Sequence, residues 1–131
     1  MDILKNIQDQ LPGEISEAIF EGANIVLYTE NAKFFMEGSG RVRKIVDEIK
    51  KRIELRAAEK ILMDQEKAKD KINEIVPKDA EITNIIFDQQ RSIVIVEAKK
   101  PGLVIGKQGS ILEDIRRETF WAPQVQRAPA I

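Results

Sequence analysis

Apolar positions recur along this chain with two different periods, and the two alternate. Ile3, Leu4, Ile7 and Leu11 fall on one side of a helix that Pro12-Gly13 brings to an end. Strand-length apolar runs follow at 14–20 and 24–29, turned at Glu21-Gly22-Ala23. A short helix near 31–36 leads into Gly38-Ser39-Gly40, a longer helix carries Val42, Ile45, Val46 and Ile49, and a strand near 52–57 closes this group. The same order then returns. A helix from about Asp64 to Val76 precedes strands near 81–87 and 92–98, joined through Asp88-Gln89-Gln90-Arg91. Pro101 suits a first helical turn. A glycine-bearing stretch follows, then a helix with Ile111, Leu112 and Ile115, a stop at Ala122-Pro123 and a strand around 124–128.

The residues support an internal repeat as well as the order does. Ile15–Phe20 lines up with Ile82–Phe87, Ile25–Tyr28 with Ile93–Val96, and Glu54–Ala57 with Val125–Ala128. The offset drifts from about 65 to 71 residues, as loop insertions would produce. The chain is therefore expected to form two α+β units of order α-β-β-α-α-β, at 1–60 and 61–131. Each would be a three-stranded sheet with helices on one face.

Composition narrows the chemistry. The 131 residues include no cysteine and no histidine, which removes thiol, triad and zinc chemistry from this chain. Neither a long apolar run nor a basic-then-apolar leader is present, so no membrane association and a cytoplasmic location are expected. The net charge of −1 hides a pattern. Residues 1–37 carry −5, residues 38–56 carry +4, residues 57–98 carry −3 and residues 99–131 carry +3. Local positive surfaces can thus face phosphate although the chain is not basic.

The second positive block holds the most informative stretch, Val104-Ile105-Gly106-Lys107-Gln108-Gly109-Ser110-Ile111-Leu112. A phosphate-binding P-loop is excluded by spacing: three residues, not four, separate Gly102 from Gly106-Lys107, and Gln108 stands where a hydroxyl is needed. A dinucleotide fingerprint beginning at Gly38-Ser39-Gly40 fails because Arg43 occupies the third glycine position. With two glycines flanking a basic-polar pair between two apolar runs, the stretch resembles the GXXG loop of KH domains, which turns backbone amides toward a sugar-phosphate chain; the plainer alternative is a glycine-rich helix-to-helix turn with a solvated lysine. In the KH reading Gly106, Lys107, Gln108 and Gly109 face phosphate, Ile105 and Ile111 floor the bases, and Ser110 caps the next helix. Gly38, Ser39, Gly40, Arg41, Arg43 and Lys44 would form a secondary, degenerate site in the first unit. Phe34, Phe35, Phe120 and Trp121 flank the two loop regions, either as base-stacking platforms or as core.

The order of elements resembles two tandem type II KH domains. The strings Lys99–Gly109, Ile115-Arg116-Arg117-Glu118-Thr119 and Trp121–Val125 sharpen that resemblance, and over all 131 residues the chain is similar to the amino-terminal region of archaeal β-CASP ribonucleases. These are relatives of the cleavage and polyadenylation specificity factor. The resemblance implies single-stranded, U-rich RNA as ligand, adds Arg116 and Arg117 to the RNA-binding residues, and implies a role in RNA 3′-end formation and transcription termination. It also implies a metallo-β-lactamase core downstream, holding zinc through His-x-His-x-Asp-His, so that this chain binds and the parent cuts. RNA polymerase or elongation factors are candidate partners, and the parent a candidate homodimer. Two departures stand out: the family carries glycine where Phe120 stands, and Gly40 comes one position early for a GXXG loop. A free-standing NusA-like tandem KH transcription factor and a protein-docking domain remain as alternative functions.

Overall fold

A computed structural model describes residues 2–130 and divides into two compact units, 1–61 and 62–131. The first runs α1 (Ile3–Gln10), β1 (Glu17–Glu21), β2 (Asn24–Thr29), α2 (Ala32–Glu37), α3 (Ser39–Ile49) and β3 (Ile53–Ala57). The second runs α4 (Gln65–Ile75), β4 (Ile82–Asp88), β5 (Ile93–Ala98), α5 (Pro101–Ile105), α6 (Ser110–Thr119) and β6 (Ala122–Arg127). Each sheet has its strands in chain order, first pair antiparallel and second pair parallel. The repeat legible in the sequence is thus a repeat of topology.

Local chemistry explains most boundaries. Asp2, Asn31 and Asp64 cap α1, α2 and α4 by accepting amide hydrogen bonds from the first turn. Gly22 takes φ +60° and closes the hairpin between β1 and β2. Ile7, Leu11, Ile25, Leu27 and Phe35 are buried in the first unit. In the second, Ala68, Ile72, Val94, Val96, Val104, Ile115 and Trp121 form one core cluster. Trp121 is fixed three ways. Its indole Nε1 donates to the Met63 carbonyl at 2.8 Å, its amide donates to Thr119 Oγ1 at 3.2 Å, and its ring meets Phe87 edge-on at 4.8 Å.

Several boundaries differ from the sequence expectation. β1 starts at Glu17, not 14, because the chain is still turning after Pro12-Gly13, with the Glu14 amide donating to the Leu11 carbonyl. The stop expected at Ala122-Pro123 falls at Phe120, which takes a left-handed conformation at φ +69° and donates its amide to Arg116. Burial of Trp121 then starts β6 at Ala122, and Pro123 is tolerated because β6 is an edge strand. Ser110 is the first residue of α6 and makes no side-chain cap; Gly109 stands at the cap position. The expected loop at Gly38-Ser39-Gly40 does not exist: Gly38 has helical φ and ψ, while Ser39 and Gly40 are already in α3.

Candidate nucleic-acid interface

In the second unit, α5 and α6 are separated by the four residues Gly106–Gly109. Gly106 lies at φ 78°, ψ 176°, a region open only to glycine. A Cβ there would collide with the side chain and amide of Ile111, so Ile111 seats directly beneath the loop. Gln108 and Gly109 both take left-handed conformations, at φ +56° and +76°. The amides of Gly106, Gly109 and Ser110 are spent on the Gly102, Gly106 and Lys107 carbonyls. Those of Lys107 and Gln108, at the tip, find no acceptor among the described residues. Two amides without an acceptor on exposed residues, one of them a lysine, are available to an anion.

The apolar neighbours divide. Ile105 is 39% exposed beside the loop, whereas Ile111 packs partly into the core. Arg116 and Arg117 are not brought to the loop; they lie at the far end of α6, roughly 9 Å along its axis from Ser110. Arg116 sits 3.9 Å from Glu113, and Arg117 is exposed. In the same unit β6 is an edge strand of its sheet. Ala122 and Ala128 donate their amides to β5-side carbonyls at 2.8 and 2.9 Å, so by alternation the main chain of Val125 points away from β5. That outward pair was not legible without the strand order.

Gly102 was weighed in the sequence only as a P-loop glycine and given no RNA-binding role. It is exposed, helical and open, with nothing within 4 Å of a Cβ placed there, so no packing requires it. Its helical cost is about 1 kcal/mol relative to alanine.

The matching corner of the first unit is closed. One residue, Gly38, joins α2 to α3, and its amide donates to Phe34 at 2.7 Å. A Cβ at Gly38 would stand 2.5 Å from the Phe34 carbonyl, so the joint is too tight against the last turn of α2 for a side chain. Arg41 is also engaged, 5.4 Å over the Phe34 ring and 3.8 Å from Glu14. Arg43 and Lys44 are exposed on α3, as are Ser39 and Gly40. A cavity of about 300 Å³ adjoins this corner, lined by Glu14, Asn31, Lys33, Phe34, Glu37 and Arg41. Its charges of both signs do not select phosphate. Phe34, Phe35 and Trp121 are buried, so they are core residues and not stacking platforms; Phe120 is half-buried.

A family model described as the KH domain of transcription termination factor FttA matches residues 1–62, and a general KH-domain model matches residues 67–119. The chain is a tandem pair of KH domains. Relatives described as transcription termination factor FttA include one from Methanothermobacter thermautotrophicus, 46% identical across 99% of this chain. Others come from Methanococcus maripaludis at 43% and Thermococcus kodakarensis at 42%, again across 99%. The chain spans 21% of the length of each of these three. Of the two KH domains, the second keeps the open GXXG loop and the first replaces it with a helix junction. Among the described residues no helix is long and apolar enough to cross a membrane. Nor do three or more Asp or Glu residues gather where they could hold a metal ion.

Proposed function

We propose that this chain is the RNA-holding part of a transcription termination factor, and that its second KH domain clamps about four nucleotides of single-stranded RNA. The observation that carries this reading is the loop at Gly106–Gly109, where Gly106 adopts a glycine-only conformation over Ile111 and the two tip amides, those of Lys107 and Gln108, have no acceptor among the described residues. Phosphates meet Lys107 and the tip amides, bases lie over Ile105 and Ile111, and the outward N–H and C=O of Val125 offer a donor–acceptor pair to a base edge. Arg116 and Arg117 reach only the outer margin of this site. The FttA relatives' name supports termination as the setting. A zinc-dependent metallo-β-lactamase/β-CASP ribonuclease linked to this chain would use the held RNA, with U-rich sequence as the preferred substrate, in the cytoplasm. Its zinc ligands would have to lie outside these residues, since this chain has neither His nor Cys.

The first domain has a different part in this reading. Its closed corner offers no clamp, which favours diffuse contact through Arg43 and Lys44, or docking of RNA polymerase or an elongation factor on its acidic surface.

Replacing Lys107 and Gln108 together by aspartate tests the clamp. Aspartate tolerates the left-handed conformation at 108, and both glycines remain, so the fold should survive. RNA titration and thermal unfolding on one sample should show binding lost and melting retained. Unchanged RNA affinity in a folded protein would overturn the proposal.

A further inference from the structure

Beyond the loop, the second domain carries a basic shelf that the clamp does not use. Lys99 and Lys100 leave the end of β5, and Arg127 ends β6 opposite Ala98 in the parallel pairing. The Arg127 Nη1 donates to the Lys99 carbonyl at 3.3 Å, which holds the guanidinium against this corner while the residue stays exposed. The amides of Lys99 and Lys100 are anchored on the Glu81 and Ala80 carbonyls, both at 3.1 Å. The backbone beneath the shelf is therefore fixed. Three cations stand here, of which Lys100 has its Nζ 3.9 Å from Glu81 Oε2, while Glu97 and Asp79 lie nearby in sequence on the elements beneath.

The shelf connects to the loop through α5, five residues and so about 7–8 Å long. Gly102 lies on that helix one turn before Gly106, whose amide it accepts at 3.1 Å, so the two glycines share one helix face. A Cβ would fit at 102 without contact, and alanine or leucine would favour the helix. A bare, exposed helix face running from the loop to three cations has no packing purpose, and its shape and charge suit a sugar-phosphate chain.

Resting on the clamp reading above, we infer that single-stranded RNA held at Gly106–Gly109 continues over the Gly102 face of α5 onto Lys99, Lys100 and Arg127. The shelf binds phosphates outside the clamped nucleotides. It carries no base readout, and so adds affinity without sequence preference.

The test uses the 131-residue chain with oligouridylates of about four and about twelve nucleotides, titrated between 50 and 200 mM salt. The double substitution K99Q/R127Q should leave the shorter RNA unaffected. For the longer RNA it should reduce the log–log salt slope by roughly 0.7 per lost contact, which removes about sevenfold of the affinity difference across that salt range. G102L should weaken the longer RNA while holding or raising the melting temperature, an outcome that damage to the fold could not produce. K107D/Q108D should abolish binding of both lengths; if it does not, the clamp reading fails. If it does, but the shelf substitutions leave the longer RNA unchanged or weaken both lengths equally, the extended track is overturned. Binding of an acidic peptide with no effect of the shelf on RNA would likewise overturn it.

Discussion

Phe120 stands where a glycine would be at ease. At φ +69° it closes α6 in a conformation that costs an L side chain roughly 1–2 kcal/mol, and the resemblance noted from sequence carries glycine at this place. Replacing Phe120 by Gly should raise stability by about 1 kcal/mol, because the half-buried ring gives back part of the gain. Calorimetry should show the second unit melting a few degrees higher; a lower melting point would mean that the ring's packing outweighs its backbone strain. The loop glycines should separate in the opposite sense. Gly106→Ala meets both a glycine-only conformation and the Ile111 amide, so a loss of about 3 kcal/mol or more is expected in denaturant titration. Gly109→Asn has open space and an accessible left-handed conformation, and should cost under about 1 kcal/mol. Sequence reading found these two glycines because both ends of a GXXG loop announce themselves. It could not grade them, since the difference lies in where Ile111 sits.

At the scale of elements, the sequence misled most at the junction of α2 and α3. Gly-Ser-Gly reads as a loop by composition, but the Gly38 amide is taken by Phe34 and its carbonyl accepts from Arg41 and Val42, which makes it the joint of two packed helices. The basic residues behind it therefore are not equivalent. Neutralising Arg43 and Lys44 should flatten the salt dependence of RNA binding by up to roughly 1.4 in log–log slope if both meet phosphate. Neutralising Arg41, held by Glu14 and Phe34, should change the slope little and stability by no more than about 1 kcal/mol. A slope that falls equally for all three would show that Arg41 leaves its partners when RNA arrives. Arg56 on β3 was likewise counted among the basic block, yet it is only 2% exposed. Burial alone would push its pKa down, but hydrogen bonds to Glu21, Glu54 and Tyr28 outweigh that and raise it above the ordinary arginine value. It ties β1, β2 and β3 together and is unavailable to RNA. Strand periodicity placed it in a strand, but no feature of the sequence tells a buried cation from a solvated one.

At the scale of the whole chain, the doubled α-β-β-α-α-β order was legible because each copy writes its helices and strands with different apolar periods. That the first copy departs from a GXXG loop was legible in the spacing of Gly38-Ser39-Gly40, but the form of the departure was not. That depends on backbone bookkeeping at two junctions and on which cations are spent inside the protein. The distinction matters for chemistry as well as for binding. A zinc centre in a protein is built from imidazole, thiolate and carboxylate ligands, and this chain has only the last. Its carboxylates are dispersed: among the described residues no three Asp or Glu side chains converge on a point. A ligand that binds the native state raises the melting temperature by mass action, so zinc should leave the melting curve of the purified chain unmoved at concentrations that saturate ordinary zinc sites. The same sample should retain RNA affinity and show no RNA hydrolysis above a protein-free blank, with or without zinc. Hydrolysis that follows the protein through purification, or a melting temperature that climbs with zinc, would place a catalytic or metal site inside these residues and overturn their assignment as a binding module.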